Sequence, residues 1–117
     1  MSWYAGNADL DGADDGGWFF GRFMAGRVPA LTSDEVEVKW ARLAPGSRDD
    51  RWSGPEPQTS LVVLVSGSQR LVFREGEAHL CRPGDYVVWF PGDEHTWQSS
   101  ETEETTTITV RWPSAVE

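Results

Sequence analysis

The sequence predicts an all-β sandwich or small barrel, and three observations carry the prediction. From Pro29 onward, short runs of alternating apolar and polar residues are separated by turn residues. No run of ten or more residues places its apolar positions at helical spacing. With 117 residues and one cysteine, Cys81, the chain supports one modest core and no internal disulfide.

The elements follow in order. Residues 1–17, ending in DLDGADDGG, are rich in Asp and Gly without periodicity and read as a flexible acidic arm. Residues 18–117 form the single domain. It opens on Trp18-Phe19-Phe20-Gly21-Arg22-Phe23-Met24, an edge strand or a segment lying across a sheet. Val36, Val38 and Trp40 alternate with Glu35, Glu37 and Lys39, so this strand is expected to bury its Val/Trp face. Leu61 to Val65 is a continuous apolar run suited to a central strand. Ser66-Gly67-Ser68 and Glu75-Gly76-Glu77 turn the chain around Arg70 to Arg74 and lead to Ala78 to Cys81. Pro83-Gly84 precedes a strand over Asp85 to Phe90, and Pro91-Gly92 precedes one over His95 to Ser99. The acidic tip SSETEETTT then leads into the β-branched closing strand Thr105 to Trp112.

Composition narrows the function. Seven Trp stand against two His, one Cys and one Lys, so no zinc cage of the Cys/His type can be built. Nineteen acidic against ten basic residues give a net charge of −9, which opposes nucleic acid and anionic lipid as partners. No apolar stretch approaches a membrane span, and the N-terminus is acidic where a signal peptide is basic and then apolar. A cytoplasmic protein is therefore expected.

The most specific motif is Gly84-Asp85-Tyr86-Val87-Val88-Trp89-Phe90-Pro91-Gly92-Asp93-Glu94-His95-Thr96-Trp97. It resembles the second motif of the cupin superfamily, in which a Gly-Asp turn opens a strand, a Pro/Gly turn follows, and a His begins the next strand facing the barrel. Pro91 lies one place later than in that pattern. Ala44-Pro45-Gly46 and Ser60-Leu61-Val62-Val63-Leu64-Val65-Ser66-Gly67 resemble the frame of the first cupin motif without its ligands. Ser60 falls where the family carries its metal-binding Glu, and Ser53, Gly54, Pro55 and Glu56 fall where it carries its His pair. The resemblance spans Val36 to Trp112 and implies a cupin-type jelly roll with a short N-terminal arm. The Trp18, Val36–Trp40 and Thr109–Ser114 segments are similar to those of short bacterial single-domain cupins.

His95 is the one family-position metal ligand retained, too few for a divalent cation, so no cofactor is expected; Glu56, Gln58 or His79 would have to complete an unusual site. The expected pocket binds a small organic molecule. His95 and Glu56 are its candidate catalytic residues, and Trp97, Trp52, Gln58, Trp40, Arg42 and Ser60 its candidate ligand contacts. Trp97 shares the face of His95 two residues on, while Arg42 shares the face of Trp40 and either enters the pocket or ends the strand in solvent. Trp89, if it faces outward, marks the sheet contact through which cupins pair into homodimers. The leading reading is a metal-independent small-molecule-binding cupin. Alternatives are a cyclase, isomerase or lyase with His95 as general acid/base, a dioxygenase-type metal cupin, or a non-catalytic dimeric partner protein. Lys39, the only lysine, has no serine at a spacing that suggests a peptidase dyad.

Overall fold

The computed structural model describes residues 3–116; the outermost residues of the arm and of the domain lie outside them. The strands are β1 (Trp18–Phe20), β2 (Glu37–Leu43), β3 (Arg48–Asp49), β4 (Thr59–Ser66), β5 (Gln69–Phe73), β6 (Gly76–Leu80), β7 (Tyr86–Trp89), β8 (His95–Ser99) and β9 (Thr105–Trp112). They form two antiparallel sheets, one in the order β1-β2-β9-β4-β7 and one in the order β3-β8-β5-β6. The strands expected from the alternating runs are all present, and the Trp18 segment is an edge strand followed by a 3-10 turn that buries Met24.

The turns are set by residue chemistry. Gly67 has φ +83°, and a Cβ there would lie 2.5 Å from Thr105 Oγ1 and 2.7 Å from Glu104 O, so only glycine fits between β4 and the start of β9. At Gly84, with φ +94°, the following Asp85 carboxylate accepts hydrogen bonds from the backbone N–H groups of Cys81 and Arg82, both at 2.9 Å. Those bonds hold the Asp85 carboxyl below its ordinary pKa.

Val62, Leu64, Leu71, Leu80 and Trp89 form the buried cluster between the sheets, with Phe73, Val87 and Trp97 packed against it. Cross-strand register orders the inner face of the larger sheet into rows. Glu37, Arg111, Ser60 and Trp89 are successive cross-strand partners in one row, and Lys39, Thr109, Val62 and Val87 in the next. On the smaller sheet Phe73 pairs with His95 and Leu71 with Trp97.

One expectation is reversed. Strand β2 turns Glu37, Lys39, Ala41 and Leu43 inward and leaves Val38, Trp40 and Arg42 outside. The physical reason is pairing: Glu37 faces Arg111 across the β2–β9 ladder, so its charge is met inside the sandwich. The apolar alternates join an outer surface that also carries Ile108 and Val110.

In the acidic segment, Ala8–Asp11 form one turn of helix and Ala13–Asp15 a 3-10 turn. The backbone N–H of Trp40 donates to Gly17 O at 2.9 Å, extending the β1–β2 edge, and Asp9 lies 3.2 Å from Arg42 on the outer face of β2.

Candidate functional site

Between the sheets lies a partly open cavity of about 140 Å³. Its walls include Lys39 and Ala41 from β2, Ser60 and Val62 from β4, Gln69 and Leu71 from β5, and Thr109 and Arg111 from β9. Trp18, Glu56, Trp89, His95 and Trp97 complete the polar end and the aromatic wall. Antiparallel pairing explains the convergence: residues far apart in sequence become lateral neighbours about 5 Å apart on one face.

His95 is the best-anchored polar group. Its backbone N–H donates to Ser53 Oγ at 3.0 Å, its carbonyl accepts from Ser53 N–H at 2.9 Å, and Ser53 Oγ lies 3.1 Å from Nδ1. A Ser53 hydroxyl donating to Nδ1 satisfies this geometry and assigns the ring proton to Nε2. The imidazole packs against Trp89 with ring centroids 4.7 Å apart. Burial lowers its pKa from the ordinary histidine value; Glu56 and Asp49 oppose that shift and Arg111 reinforces it. The ring is therefore neutral at neutral pH.

Arg111 organises the charged end. Its Nη1 donates to Glu56 at 3.3 Å, its Nε lies 3.5 Å from Glu37, and its guanidinium stacks 4.2 Å from the centre of the Trp18 ring. Glu37 is only 6% exposed and accepts a 2.6 Å hydrogen bond from Gln58 Nε2, which also donates to Pro113 O at 2.9 Å. Lys39 extends over the other part of the Trp18 ring, with Nζ 5.7 Å from its centre. Among the described residues no carboxylate lies within ion-pairing distance of it. Burial, then the neighbouring Arg111, lowers its pKa from the ordinary lysine value.

Three buried polar atoms on the cavity wall have no hydrogen-bond partner: Ser60 Oγ, Gln69 Oε1 and Arg111 Nε. Ser60 is 1% exposed. Unmet buried polar atoms cost about 1–3 kcal/mol each, and Arg111 Nε is offset by Glu37 at 3.5 Å.

Of the candidates from sequence, His95, Glu56, Trp97 and Ser60 line the cavity. Four lie elsewhere. Trp40 and Arg42 sit on the outer face of β2, where Arg42 pairs with Glu104 and Asp9, each at 3.2 Å. Trp52 is 39% exposed beneath the Arg74 guanidinium, 3.8 Å from its ring centre. Gln58 is buried but spends its amide on Glu37 and Pro113. Trp89 faces inward, 8% exposed, and so is not an outer contact residue. Lys39, Arg111, Trp18, Trp89 and Gln69 are wall residues that alternation alone did not single out. Their signal was present in the regular spacing of Glu37 and Lys39, and of Thr105, Thr107, Thr109 and Arg111, once the polar side of each strand is taken as the inner one.

Among the described residues no three His, Cys, Asp or Glu side chains come together in a geometry able to hold a metal. The positions where cupin ligands would stand hold Ser60 and Ser53, and the cavity adds two cationic side chains beside the one imidazole. This donor set does not fit a divalent cation.

Two antiparallel sheets closed on an internal cavity, with the Gly-Asp and Pro-Gly turns in place, define a cupin jelly roll. The chain belongs to the cupin superfamily: the EutQ-like cupin domain matches residues 42–105. No curated protein sequence matches the chain. Its fold is similar to a cupin protein from Bacteroides fragilis, with TM-score 0.59 and 13% identity over 71% of this chain and 70% of that one. It is also similar to KdgF from a Halomonas species, with TM-score 0.62 and 16% identity over 69% and 71% of the two chains. The DMSP lyase DddQ from Ruegeria pomeroyi matches with TM-score 0.61 and 14% identity over 71% of this chain but 41% of its own. Lys39 and Arg111 both lie outside the matched 42–105 span. No helix among the described residues is long and apolar enough to cross a membrane.

Proposed function

We propose that this chain is a metal-independent cupin that binds a small organic molecule between its sheets. One observation carries the reading: the polar residues Ser60, Gln69 and Lys39 line the same cavity as His95, Trp89 and Trp97, so a polar wall and an aromatic wall enclose one space. A small organic molecule with a polar group and an apolar body matches that lining. Titration of the intrinsic Trp fluorescence with small organic acids, amides and alcohols tests it. A saturable change for at least one class, lost in Trp97→Ala, is the expected result, and a signal unchanged by every compound overturns the reading.

A second reading on the same cavity is a proton-moving enzyme of the cyclase, isomerase or lyase type. The neutral His95 imidazole, clamped through Nδ1 by Ser53, favours it, because Nε2 is then the group presented for proton transfer. Glu56, bound to Arg111, supports this as a charged neighbour of the ring. His95→Asn separates the readings: retained affinity with lost turnover selects the enzyme.

A second copy of the chain is the proposed cover for the outer face of the larger sheet. That sheet presents Tyr86 and Phe90, 66% and 59% exposed, beside the outer alternates Leu61, Val63, Ile108 and Val110. A patch of this kind is self-complementary about a two-fold axis. Light scattering during gel filtration is expected to give twice the 13.1 kDa chain mass, and Val63→Glu to halve it. A monomeric wild type overturns this.

A further inference from the structure

We propose that the occupant of the cavity is a small monocarboxylate, its anionic end beside Lys39 and its apolar body against Trp97, Leu71 and Val62. The inference rests on the small-molecule reading above and names the ligand class.

The first argument is charge. Arg111 is clamped between two carboxylates, Glu37 at 3.5 Å and Glu56 at 3.3 Å, so its charge is already met. Lys39 has no such partner among the described residues; its neighbours are the Trp18 face and the Arg111 guanidinium, a second cation. Glu37 and Glu56 balance Arg111 and Lys39 in number, but both carboxylates sit on Arg111, so the Lys39 ammonium in its partly desolvated wall has no direct ion-pair contact. A monoanion in the cavity supplies that contact. A dianion is disfavoured, because Glu37 and Glu56 already balance the two cations in number. An amine ligand is repelled.

The second argument is the distribution of polarity along the cavity. The row Glu37–Arg111–Ser60 and His95 mark the polar end. Along the next row polarity falls from Lys39 on β2 through Thr109 on β9 to Val62 on β4, and Leu71 and Trp97 line the same cavity. A ligand lying along this gradient therefore needs one charged end and one apolar end.

The third is size. A volume of about 140 Å³ is close to that of an apolar protein cavity known to accept benzene, so a single ring or a short chain fits and a nucleotide does not.

The test is calorimetric titration of the full chain with four probes that share one phenyl ring: benzoate, its isostere benzamide, benzylamine and phenyl phosphate. Benzoate is expected to bind at least ten-fold more tightly than each of the others. Lys39→Met is expected to weaken benzoate ten-fold or more while leaving benzamide unchanged, and Lys39→Arg to keep the preference. The wild-type comparison stands on its own should a variant fold poorly. Equal affinity for benzoate and benzamide, or tighter binding of phenyl phosphate or benzylamine, overturns the carboxylate assignment and leaves small-molecule binding intact. No heat and no melting shift with any of the four overturns both.

Discussion

Replacing Arg111 by Met probes the energetic centre of the site. The substitution keeps an unbranched side chain of similar length but removes the guanidinium between Glu37 and Glu56. Glu56 is 38% exposed at the side chain, so losing its partner costs well under about 1 kcal/mol. Glu37 is different: its side chain is 8% exposed, and without Arg111 its carboxylate keeps only the amide of Gln58. Removing one partner of a buried ion pair costs about 3–5 kcal/mol, and partial solvent access to Arg111 places this case near about 3 kcal/mol. At about 2.1 cal/mol/K per residue, 117 residues give an unfolding entropy near 0.25 kcal/mol/K, so Tm is expected to fall by roughly 12 °C. The cost comes from the stranded carboxylate, so neutralising it restores stability. In Glu37→Gln the new amide oxygen still accepts the Gln58 hydrogen bond, and Glu37→Gln/Arg111→Met is expected to recover about 2 kcal/mol of the loss. Urea unfolding of wild type, both singles and the double measures this coupling. Single-variant effects that add to within about 0.5 kcal/mol refute the claim that Arg111 acts as the counter-ion of Glu37.

The His95 pKa is lowered in the folded protein, chiefly by burial, so the unfolded chain takes up its proton first as pH falls. Its contribution is complete above the unfolded value of about 6.5, is lost as pH falls from there toward the lowered folded value, and then levels off. His95→Asn should flatten the stability profile in that window, and an unchanged slope would show that another group is responsible. Leu71, 2% exposed, packs in the core and lines the cavity. Leu71→Ala is expected to cost about 3 kcal/mol in urea unfolding and to admit a bulkier ring than benzoate; a loss under about 1 kcal/mol would place Leu71 outside the tight core. Dialysis of tag-free protein against a chelator is expected to leave Tm and ligand binding unchanged. Release of a stoichiometric metal with a falling Tm would overturn the metal-independent reading.

Much of the architecture was legible because turn chemistry is local. Gly67, Gly84-Asp85 and Pro91-Gly92 can be read at their own positions, and the strands between them follow as the alternating runs predict. His95, Trp97 and Ser60 were legible as cavity residues through the cupin motifs. Trp52 and Gln58 were placed by analogy with a ligand-bearing loop, and side-chain contacts with Arg74 and Glu37 take them elsewhere.

By itself the sequence determined that each strand has two faces of opposite character and where each strand turns. Only the tertiary structure decided which face of β2 and β9 is the inside. Burying apolar residues argues for Val38 and Trp40 inward, and that rule fails here because Glu37 and Arg111 meet across the ladder and cancel each other's cost of burial. The same register carries Lys39 into the cavity without a carboxylate of its own. An ion pair between residues on β2 and β9 is a property of strand pairing rather than of either segment, so the charge that selects a ligand became visible only once the sheet was closed.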